Sequence, residues 1–189
     1  MFKFLALGLL LLSISCNSDK SQSKDLLAIA NTPAIATTYE TTPFTMSLHP
    51  NHPYELKMNM SELGKDIYEL ELMMLLFDGA HFVSPNAVRD FSGKFTVHLD
   101  DSEAIETISD LIETPRSVEE DDPHPFVRGK VNWVREDTKY QLKLKRKADE
   151  NFDIKGFIQF TIEPRCTLEK IPIIIKYEEG KMRVELFGC

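Results

Sequence analysis

Apolar and polar side chains alternate along most of this chain, and this alternation is the feature that most limits its fold. Residues 54–60 read YELKMNM, 138–147 read TKYQLKLKRK, and 153–162 read DIKGFIQFTI. Successive side chains of a strand point to opposite faces of a sheet, so a period of two predicts strands with one face in a core. Because similar segments recur along the chain with turn residues between them, we expect an all-β protein.

The sequence predicts an immunoglobulin-like antiparallel β-sandwich, since short strands joined by turns are typical of that architecture. Glu179 and Gly180 are expected to form a tight hairpin turn between the last two strands. From Met73 onward, the strand at 66–77 is apolar on both faces, which predicts a two-sided core there. The predicted strands are 54–60, 66–77, 93–100, 127–134, 138–147, 153–162, 170–178 and 181–187. The residues predicted to face inward are Tyr54, Leu56, Met58, Met60, Tyr68, Leu70, Leu72, Met74, Leu76, Phe95, Val97, Leu99, Val127, Gly129, Val131, Trp133, Tyr140, Leu142, Leu144, Ile154, Ile158, Phe160 and Ile162.

Residues 100–125 depart from this pattern and form an acidic insertion between strands. Ile105, Ile108, Leu111 and Ile112 have helical spacing, which predicts a short helix that ends before Pro115. The run at 119–122 is EEDD. Calcium needs six to eight oxygens in a defined loop, and the loop pattern of a calcium site does not occur, so we interpret the run as a solvated acidic loop.

The N-terminus is typical of a secretory signal. A lysine at position 3 precedes an apolar run that is far shorter than the roughly 20 residues needed to span a bilayer. The stretch Ser-Ile-Ser-Cys at 13–16 resembles a bacterial lipobox, although a lipobox usually has leucine where Ser13 stands. The resemblance implies that Cys16 is the acylated first residue of a mature lipoprotein; the alternative is an ordinary secretory signal. We therefore expect a signal peptide at 1–15, an acylated N-terminus with a flexible tether at 16–37, and a β-sandwich domain at 38–189.

Charge limits the classes of partner. The net charge of −8 lacks the basic footprint that a phosphate backbone requires, so we expect no nucleic-acid partner. Lys143, Lys145 and Lys147 lie in the one concentrated basic stretch, which is a weak candidate for binding an anionic partner. The alternative is that these lysines keep a strand soluble and protect a sheet edge.

No complete catalytic, metal or cofactor motif occurs in the sequence. A G-x-S-x-G nucleophile turn and a glycine-rich phosphate loop are absent. His49 and His52 are close in sequence, but each precedes a proline and neither has a matching ligand pattern, so we interpret both as turn residues. We predict no cofactor and no metal.

Three stretches together resemble the N-terminal immunoglobulin-like periplasmic domain of the DsbD-type thiol:disulfide interchange proteins. They are LLFDGAHFVSP at 75–85, the spacing of GKFTVHL and VRGKVNWV, and IKGFIQFTIEPRCTLEKIPIII at 154–175. The resemblance implies a periplasmic β-sandwich. Cys166 can match the second active-site cysteine of that family, but no cysteine stands where the first is expected. The fold and compartment are therefore implied more strongly than the reaction.

Cys166 has three possible roles. The hairpin formed by the last two strands returns the chain towards Cys166, so a structural disulfide between Cys166 and Cys189 is the favoured expectation. Redox-active use of the same pair and two free thiols are the alternatives.

We expect a protein-binding or scaffolding lipoprotein of the bacterial envelope, anchored in the outer membrane and facing the periplasm or the exterior, with an envelope protein as partner. A thiol:disulfide exchange component is the alternative.

Overall fold

The fold was analysed in a computed structural model, which describes the backbone of residues 44–46 and the whole of residues 52–122 and 129–188. Every regular element within these residues is a β-strand. The described strands are β1 (Phe44–Met46), β2 (Tyr54–Gly64), β3 (Ile67–Leu76), β4 (Phe82–Val83), β5 (Thr96–Leu99), β6 (Ile105–Thr107), β7 (Ile112–Thr114), β8 (Glu119–Asp121), β9 (Lys130–Val134), β10 (Thr138–Arg146), β11 (Phe152–Ile162), β12 (Thr167–Glu178) and β13 (Lys181–Leu186).

The strands form two larger sheets and a small one. The first sheet has the order β1-β2-β3-β10-β6, and β7 also pairs with β10. The second sheet has the order β13-β12-β11-β5, and the small sheet has the order β4-β9-β8. All of the described strand pairs are antiparallel. Strands β3 and β10 pair in the first sheet, although β5, which pairs with β11 in the second sheet, lies between them in sequence. The chain therefore crosses between the two sheets, as it does in immunoglobulin-like sandwiches.

The two larger sheets pack face to face around one hydrophobic core, which confirms the all-β sandwich. Strand β10 illustrates the pattern, because Tyr140, Leu142 and Leu144 are buried while the lysines between them are not. The predicted inward residues of the other long strands are likewise buried in, or packed against, this core. Val131 and Trp133 belong to a second, smaller cluster under β4, and Val127 lies outside the described residues.

Aromatic rings fill the centre of the sandwich. Phe95 stacks on Tyr140 with 4.1 Å between ring centroids, and Phe82 and Phe160 lie within 5.7 Å of Phe95. All four side chains are fully buried. These rings come from strands β4, β10 and β11 and from the residue before β5, so their packing joins both larger sheets.

The expected two-sided core around 66–77 is wrong. Tyr68, Leu70, Leu72 and Met74 are buried, but the opposite face of β3 is only half-buried, and Phe77 beyond its end is 44% exposed. The apolar residues on the outer face of β3 lie opposite β2 and β10 residues on a solvated sheet face. Apolar residues on both faces of β3 therefore do not mean that a core packs against both faces.

The expected helix within 100–125 is also wrong. This segment contributes β6 and β7, which pair with opposite ends of the same edge of β10, and β8, which pairs with β9. Of the isoleucines with helical spacing, Ile105 is buried while Ile108 is 42% exposed, so no helical apolar face forms. The backbone N–H and C=O groups along the edge of β10 need partners, and two short strands supply them.

The hairpin expected between the last two strands is confirmed. Strands β12 and β13 pair from Glu178 and Lys181 outward, and Glu179 and Gly180 both have positive φ, 52° and 76°. Positive φ at both central residues is the geometry of the tight turns that suit the right-handed twist of paired strands.

Candidate functional site

Cys166 lies at the end of the connection 163–166, between β11 and β12. Its side chain is exposed, and its φ of 51° is in the left-handed region that non-glycine residues seldom adopt. Glu163 at the start of this connection forms an antiparallel bridge with His81. The 75–85 and 154–175 stretches that carry the DsbD-type resemblance are therefore neighbours in space.

The predicted partner of Cys166, Cys189, lies outside the described residues, so their disulfide stays a prediction. The strand register shows what it requires. The Phe187 backbone N–H donates to the Pro172 carbonyl over 3.0 Å, and Pro172 is five residues from Thr167 along β12, roughly 16 Å. Two further residues reach at most about 7 Å. The remaining gap of about 9 Å exceeds the span of a disulfide between Cα atoms, so a bond within one chain requires the end of β13 itself to leave its pairing with β12.

Lipidation of Cys16, the signal peptide at 1–15 and the tether at 16–37 also fall outside the described residues and stay predictions. Within 52–122 and 129–188, no helix is long and apolar enough to cross a membrane.

The basic stretch on β10 is partly neutralised by carboxylates. Lys139 lies 3.5 Å from Glu71 on β3, and Lys147 lies 3.7 Å from Glu106 on β6. Lys143 and Lys145 form no ion pair with the described residues. The three lysines proposed from sequence as a binding patch are thus not equivalent, because one already has a carboxylate partner within the fold.

The acidic run at 119–122 forms β8 and the residue after it, rather than an open loop. Glu120 pairs with Arg135 at 2.9 Å, Asp121 with Lys130 at 2.7 Å, and Asp122 with Arg89 at 3.9 Å. These pairs tie the strand to β9 and to the loop before β5. Across the part of the chain that the structure describes, no group of three or more histidine, cysteine or acidic side chains is arranged to hold a metal ion.

Sequence analysis missed a buried carboxylate at Glu113 on β7. It accepts hydrogen bonds from Ser84 Oγ (2.7 Å), Tyr140 OH (3.2 Å), Asn86 Nδ2 (3.2 Å) and the Ser117 backbone N–H (2.7 Å). Burial raises the pKa of the Tyr140 phenol well above its usual range, and the Glu113 carboxylate adds to this. With its oxygens shared among four donors of the fold, Glu113 acts as a structural anchor for two loops.

Sequence analysis also missed an exposed row of side chains across the second sheet, which we call the aromatic row: His98, Phe157, Pro172 and Phe187. Phe157 pairs with His98 on one side and with Pro172 on the other, and the Phe187 backbone binds Pro172. The four residues therefore follow one line over four adjacent strands or their ends. Phe187 is 40% exposed, Pro172 and His98 are exposed, and Phe157 is half-buried.

Two lysines fold over the aromatic row from opposite sides. Lys170 Nζ lies 3.9 Å from the Phe157 ring centroid, and Lys155 Nζ lies 4.5 Å from that of Phe187. An ammonium over a ring face is attracted by the ring quadrupole. Both lysines are exposed, and neither forms an ion pair with a described carboxylate.

A signal for this surface was present in the sequence. Once Ile154, Ile158 and Phe160 are assigned to the core, the period of two places Phe157 on the solvent side of β11. The same reasoning places Pro172 outward on β12 and Phe187 outward after β13. Apolar residues at outward positions of three neighbouring strands form a contiguous exposed apolar patch, and such patches mark interaction sites.

Comparisons with known proteins leave the family open. No protein-family model matches the chain, and no curated protein matches it.

Two solved structures show a low structural similarity to the chain. The GAE domain of GGA2p from Saccharomyces cerevisiae is similar with a TM-score of 0.40 and 6% identity, over 72% of this chain and 97% of that one. The N-terminal periplasmic domain of ScsB from Proteus mirabilis is similar with a TM-score of 0.46 and 12% identity, over 74% of this chain. The match spans 51% of the ScsB chain. Both similarities are loose, and neither carries a function to this protein.

Proposed function

We propose that this protein is a lipid-anchored binding module of the bacterial cell envelope that contacts another protein through the aromatic row of its second sheet. The anchor rests on the lipobox resemblance at Cys16 and on the apolar segment before it. The binding role rests on one observation, the exposed aromatic row on a sheet whose other face is already packed in the core.

The aromatic row supports protein binding because of its composition and continuity. Single exposed apolar residues are ordinary on a protein surface, whereas contiguous ones mark interaction sites. Aromatic side chains are enriched in the centres of protein interfaces, where they bury much area at low cost in side-chain entropy. Ile174 is buried on this same outer face, next to the row.

The binding role is tested by site-specific photo-cross-linking in intact cells. A benzophenone amino acid replaces Pro172 in one full-length variant and Asn59, on the outer face of the first sheet, in a matched control. We expect an adduct with one envelope protein from position 172 and none from position 59. Equal labelling from both positions, or none from position 172, would contradict a specific interface on the second sheet.

The anchor is tested separately by Cys16→Ala. We expect the protein to move from the membrane fraction to the soluble fraction, since acyl chains would be its attachment. A protein that stays in the membrane fraction would refute lipid anchoring at this residue, with Cys166→Ala as the control for loss of a cysteine elsewhere.

Thiol:disulfide exchange is the second candidate, favoured by the exposed position of Cys166 in a turn beside the 75–85 stretch. It requires an attacking thiolate and a resolving thiol. Titration with a redox buffer and trapping of free thiols tests it. A Cys166–Cys189 pair that stays oxidised below about −300 mV has a structural role, whereas a pair reduced near the potentials of oxidoreductases supports exchange.

A further inference from the structure

We propose that the partner recognised by the aromatic row is an extended acidic segment, whose apolar side chains pack on the row and whose carboxylates pair with Lys155 and Lys170. This inference rests on the proposed function and adds the chemistry of the partner. It is carried by the position of the two lysines relative to the rings.

The charge of this surface is opposite to that of the protein. The chain has a net charge of −8, and two other basic side chains on this face already have carboxylate partners: Lys176 pairs with Glu185, and Arg183 pairs with Glu178 and Glu185. Lys155 and Lys170 are the exceptions on the outer faces of β11 and β12. Unpaired cations at the rim of an apolar patch favour an anionic partner, through faster encounter and through specificity.

Each ammonium keeps hydrogen-bonding capacity for a partner. A lysine ammonium has three donors, and a ring face occupies only part of that capacity. Packing over Phe157 and Phe187 also restricts where the two ammonium groups can lie, which reduces the side-chain entropy lost on binding. A carboxylate approaching from solvent can therefore bind each lysine without displacing it from the sheet.

The spacing of the two lysines limits the shape of the partner. Lys170 lies over the ring of Phe157 on β11, and Lys155 lies over the ring of Phe187, just after β13. Strand β12 lies between these two rings, so the ammonium groups stand roughly 10 Å apart. Extended chain rises about 3.1–3.4 Å per residue. Two acidic residues about three positions apart, with apolar residues between them, match both lysines and the row.

The test uses three fluorescein-labelled peptides with the full-length protein: Gly-Glu-Leu-Phe-Glu-Gly, the same peptide with glutamine for both glutamates, and the same peptide with lysine for both. We expect the acidic peptide to bind at least about tenfold more tightly than the other two, with an affinity that falls as salt is raised. Lys155→Gln with Lys170→Gln should weaken it at least about fivefold. Lys143→Gln with Lys145→Gln, the matched control on the first sheet, should leave it unchanged.

Equal binding of the acidic and neutral peptides, or equal loss in both double variants, would overturn the acidic partner while leaving apolar docking on the row intact. Absence of binding by all three peptides would also overturn the acidic partner. The cross-linking experiment at position 172 then tests the proposed function independently. A dimer in sedimentation that Lys155→Gln with Lys170→Gln dissociates would assign the face to a second copy of the chain, and would overturn the proposal. Thermal midpoints within about 2 °C of the parent establish that each variant folds.

Discussion

Replacement of Glu113 by glutamine tests whether the buried carboxylate anchors the fold. Oε2 accepts from Ser84 Oγ and Tyr140 OH, and Oε1 accepts from Asn86 Nδ2 and the Ser117 N–H. Glutamine can keep its one oxygen toward the Asn86 and Ser117 donors, and its NH₂ group then faces the Ser84 and Tyr140 hydroxyls. Both hydroxyls can accept from the NH₂ group, but their own protons lose a charged acceptor in a buried site.

The magnitude follows from the burial of these groups. Glu113 is 6% exposed, and Ser84 and Tyr140 are fully buried. A hydrogen bond to a charged group contributes about 1.5–3 kcal/mol, and an unsatisfied buried donor costs about 1–3 kcal/mol. Because the loops relax in part, we expect Glu113→Gln to lower the free energy of unfolding by about 2–4 kcal/mol. With a urea m-value of about 2 kcal/mol per M, the midpoint falls by about 1–2 M.

Urea denaturation of the full-length protein, followed by tryptophan fluorescence and circular dichroism, measures this change. Glu106→Gln is the matched control, because Glu106 lies on β6, pairs with the same strand β10, and is exposed. We expect it to cost less than about 0.5 kcal/mol, as exposed ion pairs do. If both variants shift the midpoint equally, the hydrogen-bond network around Glu113 does not contribute to stability as argued.

Three further predictions concern other positions. Since burial raises the pKa of Tyr140, the folded protein holds the phenol proton more tightly than the unfolded chain, so its stabilising effect is complete below about pH 10 and is lost as the pH rises further. Tyr140→Phe should therefore flatten the alkaline fall of the urea midpoint, and an unchanged slope would contradict this. A Cβ on Gly156 would overlap the His98 carbonyl oxygen on the adjacent strand, so Gly156→Ala should destabilise the fold by about 1–3 kcal/mol, whereas a measured gain in stability would show that the strands separate easily. In non-reducing mass spectrometry of digested protein, the favoured disulfide predicts a peptide joining Cys166 to Cys189, which requires the end of β13 to leave its pairing with β12. Free thiols at both positions would contradict the disulfide.

The long strands were predictable from sequence because each has one clear apolar face. Leu142 and Leu144 between lysines on β10, or Ile158 and Phe160 on β11, need only local alternation to assign. The secondary structure of the segment 100–122 was harder to predict. The 100–122 segment had both helical spacing and β-compatible residues, and the choice depended on β10, whose edge offered partners more than 20 residues away.

Long-range charge pairing explains what was missed at the candidate sites. A run of lysines looks like a basic surface until Glu71 and Glu106 are placed beside it, and EEDD looks like an open loop until Arg135 and Lys130 are placed opposite. Glu113 was hidden for a similar reason, because its donors come from residues 84–117 and from β10. The aromatic row depends only on the alternation of inward and outward side chains, so the outward-facing positions of the predicted strands are enough to predict it.

Strand β10 has a consequence for how the chain is made. β3 precedes it by about sixty residues and binds one edge, while β6 and β7 bind the other, so three earlier strands share one later partner. During synthesis from the N-terminus, none of the three can complete its pairing until residues 138–146 have emerged. A chain that ends before Thr138 would expose the edge of β3 and leave two unpaired segments, which are features that recruit chaperones and promote aggregation. Cells making this protein therefore handle one edge of β3, together with β6 and β7, as unpaired chain until this one segment arrives.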